Sequence, residues 1–112
     1  MAKLEDVVVL ARKTTLLLDQ LRTLLQQHEL WEAEAPAPER LQSTEPFAVD
    51  TLEFHQWLQF IMIPEFEHRI EHNLALPKGF AVSPMATECW RGCWGERRQL
   101  ILTLRELDEL FN

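Results

Sequence analysis

Asp50 to Pro64, DTLEFHQWLQFIMIP, restricts the possible folds of this chain more than any other stretch. Asp50 and Glu53 have the spacing of a capping box, in which Asp50 accepts from the Glu53 N–H and Glu53 reaches back to the N–H of Asp50. Val49 and Phe54 offer the two residues of a hydrophobic staple. Beyond that start, Phe54, Trp57, Leu58, Phe60, Ile61, Met62 and Ile63 leave only His55, Gln56 and Gln59 as a narrow polar stripe. A helix so apolar must be covered on most sides, by its own bundle or by a partner. Pro64 has no N–H for the Phe60 carbonyl and its ring crowds that turn, so a kink or break is predicted there before the helix continues to about His72. Pro64 then divides a buried half from a charged half.

The flanking segments give this helix its bundle. Residues 3–28 place Val7, Leu10, Ala11, Leu17, Leu18, Leu21, Leu24 and Leu25, with Leu4, on three adjacent positions of a seven-residue grid. That width is what a globular helix needs, whereas a coiled coil uses two positions. Glu32 to Phe47 contains Pro36, Pro38 and Pro46 and reads as a long loop pinned by Leu41 and Phe47. Asn73 to Pro84 reads as an extended, partly buried connection. Ser83 and Pro84 suit a helix cap and first helical residue. Met85, Ala86, Cys89, Trp90, Cys93 and Trp94 would then share one buried face up to Gly95. A last helix, Glu96 to Phe111, aligns Leu100, Leu104, Leu107 and Phe111. The fold predicted is all-α, a single domain over residues 1–112 formed by a compact bundle of about four helices with long proline-containing loops.

Charge narrows the function classes. Eleven basic against 18 acidic residues give a net charge of −7. Because phosphate neutralisation by Lys and Arg supplies most nucleic-acid affinity, independent RNA or DNA binding is not expected; Arg97 and Arg98 could touch a phosphate, but two arginines on an acidic chain are a poor basis for an RNA site. Anionic membranes are disfavoured for the same reason. No apolar run approaches the roughly 20 residues of a spanning helix. Val7 to Ala11 stops at Arg12 and Lys13, too short for a signal-peptide core, so a cytoplasmic protein is expected. Cys89 and Cys93, four apart on one helix, are badly placed for a bridge and read as small apolar packing groups.

His68, Arg69, Ile70, Glu71 and His72 match the H-x-x-E-H string of inverted zinc peptidases. A zinc hydrolase also needs a third protein ligand and a cleft, and a stretch at a helix end in so short a chain reads as solvated histidines instead. Neither cysteine sits beside a feature that would clearly lower its pKa, and the chain has only three glycines and no phosphate-binding loop. No enzyme activity, catalytic residue, metal ligand or cofactor is expected. Aromatic residues are enriched at binding hot spots, and four tryptophans and six phenylalanines exceed what a small core requires. The candidate partner-binding surface therefore combines the proline-rich loop, the start of the second helix and the Phe80 loop: Thr44, Pro46, Phe47, Asp50, His55, Gln56, Trp57, Gln59, Phe80 and Pro84.

The segments STEPFAVDTLEFHQWLQFIMIPEF at 43–66 and LPKGFAV at 76–82, with Pro84, resemble the YqcC-like family of small bacterial proteins. The resemblance covers most of the chain and rests on Ser43, Thr44, Pro46, Phe47, Asp50, Thr51, Trp57, Leu58, Gln59, Ile63 and Pro64, then Leu76, Pro77, Phe80, Ala81, Val82 and Pro84. The segment from Cys89 to Trp94 departs from it, so no family role is carried over to the cysteines. The resemblance implies a compact helical bundle with no established activity, from a cytoplasmic bacterial protein. It also implies genomic proximity to a pseudouridine synthase acting on transfer RNA. An unidentified protein partner is expected, with that synthase as one form of it. The acidic charge suits contact with a basic enzyme surface. The expected function is a protein–protein interaction module; the alternatives are an accessory factor of a tRNA pseudouridine synthase or other RNA-modifying enzyme and, more distantly, a metal-dependent hydrolase.

Overall fold

The computed structural model describes residues 4–111, and the periodic leucines near its start form α1, Leu4–Gln27. Lys3, the first residue of the predicted helix, lies outside the described residues. At 1.5 Å per residue α1 is roughly 36 Å long. Leu18, Leu21, Leu24 and Leu25 are buried from its grid face, and Thr14 is fully buried by returning its hydroxyl to the Leu10 carbonyl at 2.7 Å. The helix ends in a Schellman motif: the Leu30 N–H bonds the Leu25 carbonyl and the Glu29 N–H bonds that of Gln26, with Glu29 left-handed at φ 59°.

The second apolar segment is one continuous helical rod with a change of pitch inside it. It comprises α2 (Phe54–Trp57), a π-helical turn (Leu58–Met62) and α3 (Ile63–Glu71). The predicted break at Pro64 takes the form of this π-turn, in which the Ile63 N–H reaches the Leu58 carbonyl five residues back. Lengthening the ladder by one residue just before the proline accommodates a ring that has no N–H to offer. Pro64 does not divide buried from solvated: Ile63 and Phe66 are as buried as Leu58 and Met62. The rod closes on a second Schellman motif, with Asn73 left-handed at φ 55° and the Leu74 N–H on the Arg69 carbonyl at 2.8 Å.

Two of the predicted caps move. Helix α2 begins three residues later than expected, where the Gln56 amide oxygen accepts from the Glu53 N–H at 2.8 Å. Asp50 instead accepts from the Ser43 hydroxyl, and Val49 is exposed, so no staple forms with Phe54. Helix α4, Ser83–Cys89, is capped from outside. The carboxylate of Asp108, buried on α5 (Arg98–Leu110), accepts from the N–H groups of Val82 and Ser83 at 2.8 Å each. Because α4 ends at Cys89, the six-residue face predicted up to Trp94 does not persist. Trp90 and Ala86 are buried, while Cys89 and Trp94 are exposed.

The core joins the two ends of the chain. Leu18, Leu21 and Leu25 of α1 and Leu100, Leu104 and Leu107 of α5 belong to one cluster with Leu58, Met62, Ile63 and Phe66. Four helical rods and no strand make up the described residues, an all-α fold. Short 3-10 turns at Pro38–Gln42 and Pro46–Ala48 order the proline loop. Phe47 pins it; Leu41 is only half-buried and lies outside the core cluster.

Candidate functional site

The polar stripe predicted to reach the surface turns inward. Gln56 and Gln59 are buried, and both bind Glu32, at the start of the proline loop. Gln59 clamps the Glu32 backbone, accepting from its N–H and donating to its carbonyl at 2.8 Å each. Gln56 Nε2 donates to one Glu32 carboxylate oxygen at 3.1 Å, and His55 Nε2 lies 3.0 Å from the other. Four side chain and main chain groups of one residue are thus satisfied together, which is how a polar cluster becomes tolerable inside an apolar helix. Gln56 and Gln59 organise the loop from inside, while His55 stays partly exposed and lines a pocket with Phe47, Glu53 and Met85. Glu32 was missed by reading periodicity, because a loop residue carries no periodic signal.

The aromatic part of the candidate surface does assemble. Phe47 packs edge-on to Trp57 with ring centres 4.8 Å apart, and Phe54 stacks beside Trp57 at 6.1 Å. Phe47 and Ala48 hold left-handed backbone, φ 57° and 49°, conformations disfavoured for residues with a Cβ. Phe80 meets Phe66 at 5.0 Å. Trp57 and Phe80 border one open groove of about 200 Å³ floored by Ile61, Met62 and Phe66. Thr44, Pro46 and Asp50 are exposed on the loop, and Pro84 is exposed on the first turn of α4; none of the four lines this groove. Arg40 and Thr51 tie the loop down reciprocally, at 2.7 and 2.6 Å.

A larger apolar groove of about 850 Å³ adjoins the first, with Pro77 on the border of both. Val7, Leu10 and Ala11 of α1 form one wall, Ile70, Leu74 and Leu76 another, and Leu110 and Phe111 the base. Val7, Val8 and Val9 are each about half exposed. The first turns of α1 therefore carry apolar side chains beyond the core that accounts for the rest of the helix. Periodicity hid this groove, since the same residues satisfied the core pattern.

His68 and His72 lie exposed at the end of α3 with ring centres 4.4 Å apart and planes tilted by 49°. Among the described residues no three His, Cys, Asp or Glu side chains come together as a metal-binding group. The Cys89 thiol is pushed up by partial burial first and then by the Glu88 and Glu53 carboxylates, which disfavours its thiolate. No described helix is long and apolar enough to cross a membrane.

Comparison with known proteins gives this geometry relatives. The family described as tRNA pseudouridine synthase C matches residues 13–110. An uncharacterised Haemophilus influenzae protein is 39% identical over 95 residues, covering 85% of this chain and 89% of its own length. The solution structure of protein YqcC from Escherichia coli superposes with a TM-score of 0.81 at 32% identity, covering 91% of this chain and 87% of that one. A third relative, tRNA pseudouridine synthase C from Pectobacterium carotovorum, is 31% identical over 68 residues, which are 61% of this chain but only 18% of that protein.

Proposed function

The chain belongs to the YqcC-like family, and we propose that it is a non-catalytic binding module that serves as an accessory to a tRNA pseudouridine synthase. The observation that carries this reading is the Pectobacterium relative, in which a stretch similar to this chain occupies 18% of a protein named tRNA pseudouridine synthase C. A segment carried within one long protein and also found as a separate chain is the usual arrangement of parts that work together. The surface chemistry supports the same reading. The Glu32 cluster holds a loop, and elsewhere the surface carries a pair of adjoining apolar grooves. Apolar grooves with a polar rim suit a protein partner. A net charge of −7 complements the basic surface that an enzyme acting on RNA presents.

The test pairs association with activity. The tagged chain is expected to co-purify with a tRNA pseudouridine synthase from its own cells, and deleting it is expected to lower pseudouridine in tRNA. Leu74→Glu, which places a charge in the larger groove at a position already half exposed, is expected to weaken the association at least tenfold while leaving the helical circular-dichroism spectrum unchanged. Unchanged pseudouridine levels together with no synthase in the purified complex would reject the proposal.

A further inference from the structure

We propose that a further groove, between α4, α5 and the turn that joins them, takes a single-stranded RNA segment, one base on Trp94 and the flanking phosphates on Arg98 and Arg105. The groove, about 500 Å³, is lined by Thr87, Trp94, Arg98, Ile101, Leu102 and Arg105. Trp94 is 53% exposed, so one face of its indole is open to solvent at the groove. Its ring is nonetheless held, because Nε1 donates to the Thr87 carbonyl at 2.7 Å. A fixed aromatic face with no ring or cation stacked on it among the described residues is a prepared stacking platform.

The arginines supply the complementary charge. Arg98, Ile101, Leu102 and Arg105 share one side of α5, so the two guanidinium-bearing residues stand roughly 10 Å apart along the helix. Among the described residues neither has a carboxylate within ion-pairing distance, unlike Arg22, Arg69 and Arg91. Of the arginines in this part of the chain, Arg91 pairs with Glu88 and Arg97 turns to His28, which leaves Arg98 and Arg105 as the two cations lining the groove. The net charge of −7 still disfavours broad nucleic-acid binding, and the expected Arg97–Arg98 patch is replaced by Arg98 with Arg105, because Arg97 turns to His28. RNA is favoured over an acidic peptide because the fixed element is a flat indole face, which any base can stack on, and not a hole for one side chain.

This inference rests on the accessory reading for the source of the RNA, but its test needs no enzyme. The intact chain is titrated with a short single-stranded adenosine oligonucleotide, followed by the Trp94 indole N–H and the Arg98 and Arg105 side chain resonances. Shifts confined to these groups are expected, with log affinity falling against log salt at a slope of about −1.4 for two phosphates. Trp94→Ala is expected to weaken binding about tenfold or more, Trp94→Phe by less, and Arg98→Glu or Arg105→Glu to abolish it. No shift at Trp94, or binding undiminished by Trp94→Ala in a variant with an unchanged helical spectrum, would overturn the proposal. So would equal affinity for adenosine monophosphate or for an acidic peptide. Each of these failures leaves synthase co-purification, and so the accessory reading, where it was.

Discussion

Asp108 shows how much one side chain can hold. Its buried carboxylate accepts both N–H groups that open α4, so a residue on the last helix fixes the start of the one before it. Charge-assisted bonds of this kind are stronger than neutral ones, and deleting the acceptor strands a buried N–H at Val82. Asp108→Ala is expected to cost about 2–4 kcal/mol in chemical denaturation, and Asp108→Asn, which keeps one acceptor oxygen, clearly less. Equal stability of Asp108→Ala and the parent would show that Ser83 caps α4 by itself. The sequence points to Ser83 because a cap is sought in the neighbouring residues. Asp108 is 25 residues away and becomes visible only when α4 and α5 are packed together. Glu32 was hidden for the same reason, whereas Phe47 and Trp57 were legible as unusual apolar residues beside a proline loop.

Elements were legible wherever periodicity spoke. The span of α1 and the core positions of α5 follow from the leucine spacing, and Leu100, Leu104 and Leu107 are all buried. Helix starts were less legible, since both Asp50 and Glu53 can serve as an N-cap and only Gln56, turned inward, selects Glu53. The π-turn at Leu58–Met62 was legible as trouble at Pro64 but not in its form. Pro64→Ala restores an N–H for the Phe60 carbonyl, so α-register competes with the π-turn and is expected to straighten the rod and disturb the loops packed on it. Amide spectra should then change over the rod and at Phe47 and Phe80. Spectra identical away from position 64 would mean that packing of Leu58 and Ile63 alone sets the pitch.

At the scale of the molecule, the ends of the chain stabilise one another. Leu21 on α1 and Leu104 on α5 are fully buried in the same cluster, so neither terminal helix has a complete core without the other. Leu104→Ala is expected to cost about 2–5 kcal/mol, with a single cooperative thermal transition at lower temperature. Loss of α5 alone, with α1 still protected from amide exchange, would contradict this mutual dependence. By itself the sequence determined what repeats along a helix: the all-α class, the leucine faces, the proline-interrupted loop and the aromatic surplus. These are local properties, set by the side-chain period and backbone chemistry of neighbouring residues. The tertiary structure alone decided which polar residues turn inward to Glu32, which apolar residues are left to line grooves, and which arginines stand beside an open indole. Each of those depends on what a distant segment brings within a few ångströms, and no spacing along one chain encodes that directly.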